Sequence, residues 1–194
     1  MRIKENAKTS KLLNILSVAK ASSLFWIFSF TILTAVAAQV TIPVKPVPFT
    51  LQTMMVLLAG AFLGAKNGAY SQFLYLALGA VGLPVFAHTP EAGIGLARLI
   101  GPTGGYLLAF PIAAFLVGYI IEKNQKYLSV VLSMFLGSIV IILSGTLYLN
   151  FAYLHNFSDA LKAGAAIFSI WMVVKVFAAA SIYFAVSKKQ KRLP

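Results

Sequence analysis

Six apolar stretches take up most of this chain, and they constrain its fold more than any other feature. Of the 194 residues, 60% are hydrophobic and only 10% are charged, whereas soluble domains average about 45–50% apolar and about 25% charged residues. A chain of this length has room for about six membrane crossings with short connections. We therefore predict an all-α membrane protein with six transmembrane helices. The stretches are Ser22–Ala38, Leu51–Gly64, Gly68–Ala80, Gly104–Ile121, Leu128–Leu149 and Gly164–Val186.

The six stretches form one predicted membrane domain, residues 22–187, between a basic N-terminal segment, residues 1–21, and a basic tail, residues 188–194. The second and third stretches are short for a crossing of about 20 residues. Only Ala65-Lys66-Asn67 is expected to connect them. Either flanking apolar residues extend these two stretches to a full crossing, or the two helices tilt, kink or re-enter the membrane.

The cations distinguish the two sides of the membrane. If the N-terminus is cytoplasmic, twelve Lys and Arg residues fall on the inner side and three, Lys45, Arg98 and Lys162, on the outer side. The positive-inside rule then favours two cytoplasmic termini in a multi-pass protein of the cell membrane. Topology accounts for the net charge of +12, so we expect the lipid bilayer as a partner and no nucleic acid.

The residues needed for most kinds of catalysis are missing. The sequence has no cysteine, two histidines (His88 and His155) and one aspartate, Asp159. We therefore expect no metal site, no cofactor and no Ser-His-Asp triad. No Gly-x-x-x-x-Gly-Lys-Ser/Thr motif occurs, so ATP hydrolysis would have to come from partner subunits. An intramembrane enzyme is the disfavoured alternative.

Three segments rich in proline, glycine and polar residues interrupt the apolar pattern: Val47–Thr53, Gly82–Ala87 and Gly101–Tyr106. Irregular backbone in a membrane protein must be buried in protein or line a wet cavity, because lipid cannot bond its N–H and C=O groups. All three segments lie in or beside the first two predicted outer loops, Gln39–Thr50 and Val81–Thr103. The sequence thus predicts a binding site on the outer side, as in an importer or receptor.

Several polar side chains near these segments are candidates, each with a structural alternative. Thr50, Gln52 and Thr53 contact a ligand, or Thr50 caps the second helix. Gln72 and Tyr75, three residues apart, line a cavity or bond between helices. Arg98 closes over an anion, or pairs with Glu91. Further candidates with weaker signals are Phe86, Tyr106, Asn150, Tyr153 and Trp171.

Lys175 is the strongest single candidate for a binding residue, because it lies inside the sixth apolar stretch. A charge at the centre of a membrane helix costs at least about 2.5–3.5 kcal/mol on insertion scales. The functional interpretation is a cation that binds an anionic group such as a carboxylate. The alternative is a lysine that reaches the interface or pairs structurally.

The order of these segments resembles the biotin-specific S component of energy-coupling factor (ECF) transporters, the BioY family. The resemblance is carried by Val47–Thr53 with the following Val56-Leu57-Leu58-Ala59-Gly60, by Leu74–Ala87, and by Gly101–Pro111. It is specific from about Thr34 to Gly118. It implies a six-helix S-component bundle that captures biotin from the outer side. It also implies docking onto a transmembrane coupling subunit driven by two ATPases.

The resemblance also implies roles for individual residues. Lys175 would pair with the valerate carboxylate of biotin, helped by Arg98. Small residues of the first helix, Thr31 and Ala35, would contact the coupling subunit; their spacing alone slightly favours ordinary packing within the bundle. The ring system of biotin would be enclosed by Gln52, Tyr75, Phe86, His88, Gly104 and Tyr106.

Two positions depart from the family pattern. The family's last helix looks like Pro-Phe-x-x-Gly-Asp-x-x-Lys, and this chain keeps the lysine as Lys175 but has Met172 at the aspartate position. His88 stands where the family has asparagine after Phe-Ala. A methionine is only a weak hydrogen-bond acceptor. We therefore keep a second ligand class open, a related apolar carboxylic acid such as lipoate or dethiobiotin.

Overall fold

The computed structural model describes residues 22–42, 47–88, 93–163 and 168–187. The predicted terminal segments, residues 1–21 and 188–194, lie outside these ranges. The described chain is mostly helical. Its helices are α1 (Ser23–Gln39), α2 (Gln52–Ala80), α3 (Leu96–Ile100), α4 (Gly104–Leu108), α5 (Phe110–Lys123), α6 (Tyr127–Leu149), α7 (Phe157–Leu161) and α8 (Phe168–Ser187). A π-helical turn, Asn150–Leu154, continues α6.

Three helical stretches of the described chain are long and apolar enough to cross a membrane by length and composition, namely Gly104–Lys123, Tyr127–Leu154 and Ile170–Ser187. α1 is a shorter apolar helix. All six predicted stretches are found as helix, although the start of the sixth, residues 164–167, lies outside the described residues. The helix count differs from six, because short helices such as α3 and α7 were not predicted.

The second and third predicted stretches are the two halves of α2, which reverses direction at Gly64. Gly64 has φ 80° and ψ −177°, a region that essentially only glycine occupies. In a straight helix, Gly60 and Gly68 would be about 12 Å apart. Here the two residues are in contact, because a Cβ added to Gly68 would lie 2.9 Å from the Cα of Gly60. The halves 52–63 and 65–80 therefore run back along each other. The predicted turn between the two stretches is therefore present, but it lies at Gly64, and Ala65-Lys66-Asn67 are already helical.

Glycines let the halves of α2 pack closely on α5, which is their most extensive neighbour. A Cβ on Gly60 would lie 2.3 Å from the carbonyl oxygen of Ala114, and one on Gly118 would lie 2.3 Å from the carbonyl carbon of Gly64. Such close backbone approach is how membrane helices associate without a hydrophobic driving force. The Glu122 carboxylate accepts a hydrogen bond from Ala65 N at 2.9 Å, which satisfies a free N–H group where the second half begins.

The remaining helices complete a bundle with two buried apolar clusters. Leu57, Met134 and Val176 join α2, α6 and α8 in the first cluster. Val56, Tyr75 and Ile141 belong to the second cluster, which surrounds the cavities described below. Large exposed apolar side chains such as Ile32 and Ile112 cover the outside, as lipid contact requires.

The loop after α1 contains a short hairpin. Strands β1 (Thr41–Ile42) and β2 (Phe49–Thr50) are antiparallel, with Thr41 opposite Thr50. Because β2 is followed at once by α2, the hairpin fixes where Thr50 and Gln52 lie. The N-cap of α2 is Leu51 rather than the predicted Thr50. The Thr50 hydroxyl nevertheless accepts a hydrogen bond from Gln52 N at 3.3 Å.

Candidate functional site

The three irregular segments predicted from the sequence meet around one cavity, here called the loop cavity. It contains about 490 Å³ of empty space, part of it open to the outside. Apolar side chains form most of its wall, and a few polar groups converge on it, as is usual for small-molecule sites. The lining residues are Val47, Pro48, Thr50, Gln52, Thr53, Phe86, Ala87, Arg98, Thr103, Tyr106, Leu107 and Phe110.

A second cavity, here called the lysine cavity, contains about 360 Å³ of empty space, part of it open to the outside. Thr53 and Tyr106 line both cavities, so the two adjoin. Arg98 lines the first and Lys175 the second. The other residues of the lysine cavity are Ser138, Ile141, Ile142 and Met172.

Lys175 is buried, with 8% of its surface exposed. Its ammonium group donates a hydrogen bond to Thr53 Oγ1 at 3.1 Å. The carboxylates of the described chain, Glu122 and Asp159, are both exposed, and neither forms an ion pair with this lysine. A buried cation bonded to a neutral hydroxyl lacks the countercharge that would offset its desolvation. This site can therefore gain substantially from an anionic ligand.

Gln52 and Tyr75 form a buried hydrogen-bonded chain at the other end of the site. Gln52 Nε2 donates to the Tyr75 hydroxyl, and that hydroxyl donates to Val85 O at 3.2 Å. The Thr50 hydroxyl donates to Gln52 Oε1 at 3.1 Å. This chain ties the first irregular segment to the second and fixes the orientation of the Gln52 amide. Tyr75 supports the wall from behind, because it does not itself line either cavity.

Arg98 is brought to the loop cavity by the short helix α3. The side chain is buried and its guanidinium donates to the carbonyl oxygen of Ala87. Burial lowers the pKa of the Arg98 guanidinium from its ordinary value, yet a guanidinium remains charged at neutral pH. The alternative partner proposed from the sequence, Glu91, lies outside the described residues.

Two aromatic rings of the site rest directly on glycine backbone. A Cβ on Gly79 would lie 2.0 Å from the Phe86 ring, and one on Gly145 would lie 2.2 Å from the Tyr106 ring. Phe86 also packs edge-on against Tyr75, with ring centroids 5.3 Å apart. These glycines therefore set how far the rings reach into the site.

Other predicted residues lie at the edge of the site or away from it. His88 is exposed and lines neither cavity. Gly104 is buried but does not line a cavity; a Cβ there would lie 1.9 Å from Leu99 O, so this glycine allows the chain to pass closely. Gln72 Nε2 donates to Thr34 Oγ1 of α1 at 3.3 Å and to Ser71 Oγ of its own helix at 3.1 Å, and the first of these bonds agrees with its structural alternative.

The predicted docking residues of α1 have different surroundings. Thr31 is buried within the bundle, where its hydroxyl donates to Ile27 O or Ser71 O, both at 2.9 Å. Ala35 is partly buried against the second apolar cluster. The exposed face of α1 is formed by neighbouring residues that include Ile32, Leu33 and Val36.

Sequence reasoning missed the contribution of α6. Ser138, Ile141 and Ile142 line the lysine cavity, although nothing in their apolar surroundings distinguishes the isoleucines from lipid-facing residues. Ser138 could have been noticed as a polar residue in a long apolar helix. Its hydroxyl donates to Met134 O within the same helix at 2.9 Å. Within the described ranges, no group of three or more His, Cys, Asp or Glu residues could hold a metal ion.

Comparisons with known proteins show which family this chain resembles. The chain is 39% identical over 159 residues to the biotin transporter BioY of Thermotoga maritima, covering 82% of this chain and 92% of that protein. It is also 39% identical over 163 residues to a probable biotin transporter BioY of Pyrococcus horikoshii, covering 84% and 94%.

A solved structure shows the same fold. The S component for biotin from an ECF-type ABC transporter matches with a TM-score of 0.79 and 27% identity, covering 88% of this chain and 93% of that one. The sequence profile of the BioY family matches residues 7–192. This chain therefore belongs to the BioY family.

Proposed function

We propose that this chain is the biotin-binding subunit of a vitamin uptake transporter in the cell membrane. One observation carries the proposal: a buried lysine without a carboxylate partner among the described residues lines a mostly apolar cavity, which adjoins a second cavity with polar groups. Biotin has the matching chemistry, a carboxylate on an apolar chain and a ureido ring at the other end. The family is one of transporter S components, so the sequence argument against an enzyme is confirmed.

We assign the carboxylate of biotin to Lys175 and its ring system to the loop cavity. Gln52 has an amide that both donates and accepts, which suits a ureido group. Arg98 lines only the loop cavity and Lys175 only the lysine cavity. Arg98 is therefore better suited to the ureido oxygen than to the carboxylate, which differs from the role expected from the resemblance. Met172 contributes apolar surface beside Lys175.

Transport would require partners, since the sequence contains no ATP-binding loop of its own. We propose that a transmembrane coupling subunit and two ATPase subunits drive the release of biotin. Docking through α1 remains our proposal: Ala35 and the exposed residues beside it offer an apolar face, while Thr31 supports that face from inside the bundle.

The proposed orientation, with both termini cytoplasmic, predicts the result of a labelling experiment. The chain has no cysteine, so single-cysteine variants give an unambiguous signal. Lys162→Cys and Lys126→Cys change two exposed residues at opposite ends of the bundle. A membrane-impermeant maleimide is expected to label Lys162→Cys in intact cells and Lys126→Cys only after permeabilisation. The reverse pattern would show that the chain is inserted the other way round.

Competition binding tests the choice of ligand. Lipoate has the carboxylate and an apolar chain but no ureido group, so it leaves the polar end of the site unsatisfied; a site built for such groups rejects ligands that lack them. Dethiobiotin keeps both groups and should compete better than lipoate. We expect a large excess of either to be needed to displace labelled biotin. Displacement by equimolar lipoate would favour the second ligand class instead.

A further inference from the structure

Two tyrosines at the end of α6 hold the segment that carries Arg98, although neither lines the loop cavity or the lysine cavity. The hydroxyl groups of Tyr148 and Tyr153 both donate to the carbonyl oxygen of Ile100, at 2.7 and 2.6 Å. A carbonyl oxygen has two lone pairs and accepts both bonds. Ile100 is the last residue of α3, two positions after Arg98.

The π-helical turn explains why both hydroxyl groups reach one carbonyl. In a regular α-helix, residues five apart point about 140° away from each other. Here His155 N donates to Asn150 O at 2.8 Å, five residues back. This wider turn brings residues five apart onto the same side. The Tyr148 and Tyr153 ring centroids are accordingly 6.2 Å apart.

The same face of α6 holds the residues that follow Ile100. Ser144 Oγ donates to Gly105 O at 2.9 Å. A Cβ on Gly105 would lie 2.3 Å from the Cβ of Tyr148, so this segment rests directly on the tyrosine. Residues 96–106 are thus fixed to α6 on one side, and Arg98 bonds them to Ala87 O on the other. The segment supplies Arg98, Thr103 and Tyr106 to the loop cavity.

We propose that Tyr148 and Tyr153 are positioning residues that keep residues 96–106 closed over the bound ligand and thereby slow its release. The inference rests on the proposed function, because the ligand considered is biotin. Two hydroxyl groups on one carbonyl make the attachment tolerant of losing either one. Both hydroxyl groups must be removed before the segment opens freely. Removing both should therefore raise the rate at which the ligand dissociates.

The test uses the full-length protein in detergent and compares Tyr148→Phe, Tyr153→Phe and the double variant. Phenylalanine keeps each ring and removes only the hydroxyl group. The matched control is Tyr119→Phe, which removes the hydroxyl that accepts from Lys123 Nζ at 2.5 Å, at the opposite end of the bundle. Hydrogen exchange of the ligand-free protein, dissociation of labelled biotin and thermal melting are measured for each variant.

In the double variant we expect faster exchange of the amides of residues 96–106. We also expect biotin dissociation on the order of tenfold faster, the factor typical of losing one or two neutral hydrogen bonds. The single variants should show smaller effects, and Tyr119→Phe none. A merely structural role would instead lower the melting temperature and leave the dissociation rate unchanged.

Two results would overturn the inference. One is unchanged amide exchange in residues 96–106 of the double variant, which decides the matter whether or not biotin binds. The other is unchanged biotin dissociation from the double variant when the wild-type protein binds biotin. Failure of the wild-type protein to bind biotin would instead contradict the proposed function, with the exchange measurement still deciding whether the tyrosines hold the segment.

Discussion

Replacing Lys175 with methionine is expected to weaken biotin binding by roughly 30-fold to several thousand-fold, since removing one partner of a buried charge pair costs about 2–5 kcal/mol. The ammonium group is buried beside Thr53 and has no carboxylate partner among the described residues. Methionine fills similar space without charge. Folding should be retained or improved, because the variant no longer buries an uncompensated cation. Equilibrium titration with labelled biotin and thermal melting measure the two effects.

The matched control is Lys162→Met, which makes the same substitution at an exposed position. It should leave affinity unchanged. Biotin methyl ester identifies the group that Lys175 binds: the wild-type protein should discriminate strongly between acid and ester, whereas Lys175→Met should discriminate little. A Lys175→Met variant that binds biotin as tightly as the wild-type protein would rule out the assignment of the carboxylate to this residue.

Replacing Gly118 with leucine is expected to disrupt the bundle. A Cβ at this position would lie 2.3 Å from the carbonyl carbon of Gly64 and 2.4 Å from the nitrogen of Ala65. These are backbone atoms at the reversal of α2, so no side-chain rotation relieves the clash. Overpacking typically costs about 1–3 kcal/mol, and this site belongs at the upper end or beyond. We expect the melting temperature to fall by roughly 10 °C, or the folded protein to be lost on size exclusion.

The control for Gly118→Leu is Ala77→Leu, which adds bulk at an exposed position of α2. That variant should behave like the wild-type protein. If Gly118→Leu melted at the same temperature as the control, the close approach of α5 to the reversal at Gly64 would be contradicted.

The sequence was sufficient to predict the long apolar helices and to single out rare residues as candidates for the site. Long apolar stretches in a chain with few charges leave membrane helices as the main option. A lysine inside such a stretch raises the free energy of membrane insertion, so its presence favours a functional role. The irregular segments pointed to the loop cavity for the same reason, because their backbone groups have to be satisfied within the protein.

The rest depended on tertiary contacts that have no local pattern. The sequence placed the turn between the halves of α2 within a few residues of Gly64, but not its form, a single residue with an unusual backbone conformation. Ile141 and Ile142 face the site only because of how α6 packs. Hydrophobic periodicity assumes a regular helix. It therefore does not predict the π-helical turn that brings Tyr148 and Tyr153 to the same side.

Titration of the purified wild-type protein with biotin tests the central claim most directly. Calorimetry on a sample that shows cooperative thermal unfolding should give saturable binding, one biotin per chain, with an affinity in the nanomolar range. Such a result would establish biotin capture despite Met172 and His88 at their two positions. Absence of saturable binding in the same folded sample would contradict the account and direct attention to another apolar carboxylic acid.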